Sequence, residues 1–263
     1  MDVEQILNLF RICFDAAANG FRRPRVRDFH RKPRDGLDIR QVCVTRASRN
    51  QNQVPVGTPE YLRQAYMKWN LCDHFCYIVL EAVRRAIQSE KMTSISYLKM
   101  AWLIKRLLEH GATAQWIRIL PMPNVALEDP TSPPEKVFLT AHSIIKIKLS
   151  DDTLLYFDGI MAQYAWNPES WLLAYQEWYE SHVDQTTGIV EVDEELKMSR
   201  CNNSIRGDPC GYWNTMTGSL WDMFLDLDWS SLAKMSPIQR VKIVRQLAQE
   251  RVADVASNVY GAF

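Results

Sequence analysis

The 263-residue chain carries 31 Lys and Arg against 31 Asp and Glu, a formal net charge of zero, and is 47% hydrophobic. That describes an ordinary globular chain able to bury a real core in one large domain or two small ones, and it excludes partners recruited by net charge alone. No run approaches the ~18 to 20 apolar residues of a membrane span, the start lacks a signal-peptide pattern, and the six cysteines are irregularly spaced, so a cytoplasmic chain with reduced thiols and no membrane partner is expected.

In chain order, Val3 to Ala18 sets Val3, Ile6, Leu7, Phe10, Phe14 and Ala17 at helical spacing, and Asn19-Gly20 ends that helix. Ten Lys and Arg against three Asp follow between Arg22 and Arg49, broken by prolines and Asp35-Gly36, with a short strand expected at Ile39 to Val44. The loop from Ser48 to Pro59 is the best candidate boundary. Residues 1–57 therefore read as a helical, basic extension and 58–263 as the main domain, with a single domain over 1–263 as the alternative. Thr58-Pro59-Glu60 starts a helical region in three pieces: Tyr61 to Trp69, a second capped by Asn70, and a third from Ser89 or Thr93 that stops at Gly111. Trp116 to Leu120, Val137 to Leu149 and Leu154 to Phe157 read as strands, the last two joined through Asp151-Asp152. Glu169 to Val183 reads as an amphipathic helix, Cys201 to Gly218 as a loop that could form a rim or lid, and Ser236-Pro237 as the start of a final helix through Val255.

Three residues in this pattern carry chemistry. Cys72 falls in the first turn of its helix, His142 opens a strand and Asp158 closes the next. A cysteine attacks as thiolate, and a helix N-terminus with an adjacent imidazole is what favours that form. His142 would act as base and Asp158 as its orienter. Strand alternation sets a register condition: if the turn pairs Leu149 with Leu154, Ile145 faces Asp158, and one residue of slip is needed to bring Asp158 to the His142 side. The oxyanion donors would be the Cys72 backbone N–H and one more group, with Gln64, Trp69 and Asn70 as candidates. Gln163 is either an active-site amide or a loop group. His74 is an alternative base that helical geometry points away from Cys72, and Cys76 shares an apolar face with Val79 and Val83, so it reads as core.

The run Leu107-Leu108-Glu109-His110-Gly111-Ala112-Thr113-Ala114-Gln115-Trp116-Ile117-Arg118, followed by His142-Ser143-Ile144-Ile145-Lys146-Ile147-Lys148-Leu149-Ser150-Asp151-Asp152-Thr153-Leu154-Leu155-Tyr156-Phe157-Asp158, resembles the core of transglutaminase-like, papain-related thiol enzymes. Cys72-Asp73-His74-Phe75 is similar to the Cys-x-His-Phe opening of other papain-related enzymes. The resemblance spans Asn70 to Gln163 and departs from the usual pattern in the extra helix expected between the cysteine helix and Gly111. It implies an α+β fold with the nucleophile helix packed on an antiparallel sheet, plus helical N- and C-terminal additions. It also implies Cys72 as nucleophile, His142 as base and Asp158 as orienter. The implied activity is cofactor-free acyl transfer or hydrolysis on an amide, ester or thioester, as in deamidases, transglutaminases, proteases or amide-forming biosynthetic enzymes.

Two other chemistries compete. Cys72, His74 and Cys76, with Cys201 and Cys210, suggest zinc, but neither Cys-x-His-x-Cys nor the wide gap between the later pair has structural-site spacing, and no metal is expected. Arg22, Arg23, Arg25, Arg27, Arg31, Lys32 and Arg34, interleaved with Phe21 and Phe29, make a candidate RNA-binding patch. That patch would suit a non-catalytic binding protein or an acyltransferase using an RNA-linked substrate. The alternative is internal pairing with the acidic stretch Glu169 to Glu195, which holds eight acids and no Lys or Arg.

Overall fold

A computed structural model of the protein describes residues 1–32, 36–45, 53–88, 113–129, 141–149, 151–206, 208 and 210–261. Arg34 and the helix expected from Ser89 or Thr93 to Gly111 lie outside these residues. The architecture is α+β. In order it comprises α1 (Val3–Gly20), β1 (Val26–Arg31), β2 (Ile39–Val44), α2 (Glu60–Lys68), α3 (Cys72–Gln88), β3 (Thr113–Ile119), β4 (Ala126–Glu128), β5 (His142–Lys148) and β6 (Leu154–Phe157). There follow two 3₁₀ turns (Met161–Tyr164 and Pro168–Trp171), β7 (Leu172–Ala174), α4 (Tyr175–His182), β8 (Val190–Glu191), α5 (Glu194–Arg206), α6 (Tyr212–Asp226), α7 (Trp229–Lys234) and α8 (Pro237–Tyr260). No helix among the described residues is long and apolar enough to cross a membrane.

The five-stranded sheet has the order β7-β6-β5-β3-β8 and is antiparallel throughout. Its alternation splits the apolar residues between two faces. Trp116, Ile145, Ile147 and Phe157 face the main core, where α3 lies with α1, α6 and α8 behind it. Ile117, Ile119, Ile144 and Tyr156 face the other way and are covered from α4, where Trp178 stacks on Tyr156 at 4.1 Å between centroids. The helix α1 contributes Phe10 and Phe14 to the same core as Phe75 and Trp213. A small sheet of order β1-β2-β4 packs Val26 and Val42 against Tyr66 and Met67 of α2.

Several elements differ from expectation. Residues read as a helix from Glu169 begin instead as a 3₁₀ turn and then β7, where Leu172 and Leu173 pair with Phe157 and Tyr156. Strand pairing is a non-local constraint that local helical spacing does not report. The stretch read as a loop from Cys201 to Gly218 contains the end of α5 and the start of α6, separated by a turn at Gly211 with φ 74° and by Asp208, whose carboxylate accepts the Trp213 N–H. Residues read only as a basic loop include β1, which pairs antiparallel with β2.

Candidate active site

The turn Trp69-Asn70-Leu71 delivers the chain into α3. Asn70 has φ 59°, a left-handed conformation that Asn tolerates. The first helical hydrogen bond runs from the Phe75 N–H to the Leu71 carbonyl at 3.0 Å, so Leu71 holds the capping position and Asn70 lies one residue outside it. Asn70 was expected as the cap. Cys72 is thus the first residue of the helix, and the N–H groups of Cys72, Asp73 and His74 precede Phe75, the first donor within the helix. Those donors and the helix dipole favour negative charge beside the thiol.

The β5–β6 hairpin sets the other two groups. Its pairs are Lys148 with Leu154 through Ile145 with Phe157, one residue displaced from the pairing of Leu149 with Leu154. The turn takes up the additional residue, with Asp152 at φ 64° and the Asp152 N–H bonded to the Leu149 carbonyl at 3.2 Å. Continued by one position, this register puts Asp158 opposite Ile144 and therefore on the His142 side. His142 Nε2 lies 2.7 Å from Asp158 Oδ2. The second carboxylate oxygen accepts the Ile160 N–H at 2.8 Å, and the Asp158 N–H donates to the Trp171 carbonyl at 2.9 Å, so both the carboxylate and its backbone are held.

His142 and Asp158 are buried to 0% and 2% exposure, and Cys72 to 6%. With Nε2 committed to Asp158, Nδ1 is the nitrogen left to exchange a proton with a neighbouring group. Nδ1 is buried and makes no hydrogen bond in this resting geometry. Burial works against protonation of the ring, but the Asp158 carboxylate and then the Cys72 side chain outweigh it and push the His142 pKa up to about 10. Tyr164 and Trp166 wall the imidazole edge-on, at centroid distances of 4.9 and 5.5 Å. The Trp166 indole is pinned to the Met122 carbonyl at 2.9 Å and packs against His182 at 4.4 Å.

The remaining candidates fall elsewhere. His74 turns toward Trp213 at 4.8 Å, with both ring nitrogens sealed and unpartnered, and burial followed by the Arg23 charge lowers its pKa to about 3. Cys76 is fully buried in the core. Gln163 is buried in the loop after Asp158 with its carbonyl oxygen unpartnered. Gln64 donates to Glu60 at 2.6 Å and, with Arg11, Asp15 and Lys68, lines a cavity of about 450 Å³ that also has Trp166 in its wall. The Trp69 carbonyl accepts from Arg23 at 2.6 Å.

The basic segment is divided by the fold. Arg23 is buried, donating to the Met67 and Trp69 carbonyls, so it positions the turn before Cys72 instead of meeting solvent. Arg22 lies over the Tyr260 ring at 4.3 Å. Arg31 and Arg40 pair with Asp38 of the same segment, whereas Glu191 of the acidic stretch pairs with Lys146. Arg25, Arg27 and Arg31 are exposed and Lys32 is half-buried. Phe21 packs on Tyr212 and Trp213, and Phe29 on Tyr66, so the two aromatics expected to interleave the patch point inward.

Sequence reasoning passed over Asp73, Ser143 and Arg118. Ser143 donates to Asp73 Oδ1, which lies 3.9 Å from the Cys72 sulfur. Arg118 pairs in register with Ser143. The available signal was parity: Arg118 shares a face with Trp116, and Ser143 with Ile145 and Ile147, so two polar residues interrupt an apolar stripe at the same end of the sheet. Among the described residues no group of three His, Cys, Asp or Glu side chains is arranged to hold a metal ion. No protein-family model, curated protein or solved structure matches the chain.

Proposed function

We propose that the protein is a thiol enzyme of papain or transglutaminase-like type that transfers or hydrolyses acyl groups through Cys72, His142 and Asp158. The observation that carries this reading is the buried 2.7 Å contact between His142 Nε2 and Asp158 in a ring whose pKa the Cys72 side chain also raises, with Cys72 at the first position of a helix. His74 also leaves its ring nitrogens unpartnered, but it lies against Trp213 and its pKa is lowered, whereas His142 is bonded to a buried carboxylate and its pKa is raised.

In the proposed reaction, Nδ1 takes the Cys72 thiol proton, and Nε2–H donates to Asp158 and holds the imidazolium. The sulfur attacks the substrate carbonyl carbon, and the developing oxyanion meets the free N–H groups at the start of α3. Collapse of the tetrahedral intermediate breaks the bond to the leaving group, which takes the proton back from Nδ1, and a thioester remains on Cys72. Water or an amine, deprotonated by the same Nδ1, then attacks the thioester and releases the thiol. Tyr164 and Trp166 exclude bulk water from the imidazole.

p-Nitrophenyl acetate tests this. The expected result is stoichiometric nitrophenolate release with an acetyl group mapped to Cys72 by peptide mass spectrometry. Cys72→Ala should abolish the adduct, and His142→Ala should slow it by roughly 10²- to 10⁴-fold. Acetylation elsewhere, or an unchanged rate in His142→Ala, would overturn the assignment.

A further inference from the structure

We propose that Arg118 binds a carboxylate of the acyl substrate beside the Cys72 thiol, an inference that rests on the thiol-enzyme reading above and names its substrate class. The position follows from the sheet. Arg118 and Ser143 are directly paired on β3 and β5, so both side chains stand on the face that carries α3. Ser143 reaches Asp73, the neighbour of Cys72. Arg118 therefore stands at the end of the sheet where α3 begins.

The guanidinium there is under-used. Among the described residues its Nε is buried without a hydrogen-bond partner, and its Nη2 makes only a long contact of 3.5 Å to the carbonyl of Ala141, the residue before His142. A guanidinium offers five donors in a planar fork suited to a carboxylate, and an orphaned buried donor among them is an opening for an acceptor from outside the fold. The local charge agrees: burial, and next Arg200 on α5, pull the Arg118 pKa below the ordinary arginine value, while Asp73 and Cys72 act in the opposite sense.

Paired alkylating reagents test the idea. Iodoacetate carries a carboxylate and iodoacetamide is its neutral near-isostere. The ratio of their rates at Cys72, taken relative to the same ratio for N-acetylcysteine, should be raised by about tenfold or more, the size of one charge-assisted contact. Arg118→Gln should return the ratio to the free-thiol value, and Arg118→Lys, which keeps the charge but not the fork, should fall between. A wild-type ratio equal to that of N-acetylcysteine, or a raised ratio that survives Arg118→Gln, overturns the proposal. If the glutamine variant does not fold, Arg118→Lys decides: a ratio below the wild-type value supports the site, and an unchanged ratio overturns the proposal. Failure of the thiol-enzyme reading looks different, because iodoacetamide then does not select Cys72 at all. In that event the anion site is read on Cys72→Ser protein. A rise in Tm with succinate over sodium chloride of equal ionic strength, removed by Arg118→Gln, supports the site, and no rise overturns it.

Discussion

Gly159 follows the Asp158 carboxylate, and a Cβ there would collide with the Phe75 ring. That ring has no room to retreat, since it is fully buried and packs edge-on to Phe14 at 5.2 Å and Phe157 at 5.0 Å. Gly159→Ala must therefore displace the loop that holds Asp158. We expect a loss of about 1–3 kcal/mol in urea unfolding together with weaker selectivity of iodoacetamide for Cys72; wild-type stability would show that the loop yields freely. His74 makes a different prediction. Its pKa is about 3 in the fold against an ordinary 6.5, so between those values the unfolded chain binds a proton that the folded one refuses. Its contribution is fully present above pH 6.5 and is lost as pH falls toward 3. His74→Phe should flatten that acid limb, and unfolding at about pH 5 and about pH 7 checks it.

At the scale of elements, local patterns were legible and long-range pairings were not. The apolar spacing of α1, the Pro-led start of α2, strands β2 and β6, and the Ser236-Pro237 start of α8 can all be read from their own residues, and Ser236 forms a capping box with Gln239. The register of β5 against β6 could not be read, because it turned on how many residues the Asp151-Asp152 turn would absorb. Strand β7 was hidden for a related reason: Leu172 and Leu173 are extended only because Phe157 and Tyr156 lie beside them. Within the candidate site, the types and chain order of Cys72, His142 and Asp158 were visible, but Arg118, Ser143 and Asp73 gain significance only once two strands and a helix start are superposed. Arg240 illustrates a purely structural role. Buried on α8, it donates to the Leu232 and Met235 carbonyls and to Gln5 Oε1, tying α8 to α7 and α1. Arg240→Ala should cost at least about 2 kcal/mol by stranding these acceptors while leaving the order of cysteine reactivity in the folded protein unchanged. Equilibrium unfolding and cysteine mapping on the same sample separate the two effects.

For the molecule as a whole, His142 and His74 give stability opposite dependences on pH. Asp158 and Cys72 hold the His142 pKa up to about 10 against its burial, so its contribution is fully present below the ordinary 6.5 and is lost as pH rises through 10. Combined with the acid limb of His74, this predicts a stability maximum near neutrality, with an alkaline decline that Asp158→Asn removes. A Tm that rises steadily with pH would be inconsistent with the buried ion pair. Reactivity offers a sharper contrast, because exposure and chemistry rank the thiols differently. Cys210 is exposed and Cys43 half-buried, while Cys72 is 6% exposed and Cys13 and Cys76 are fully buried. The decisive measurement is substoichiometric iodoacetamide labelling of the native protein, mapped by peptide mass spectrometry. If His142 and Asp158 activate Cys72, it is alkylated ahead of Cys210, and His142→Ala reverses that order. Labelling that follows exposure, with Cys210 first and Cys72 among the last in wild type and variant alike, would contradict the assignment of Cys72 as nucleophile.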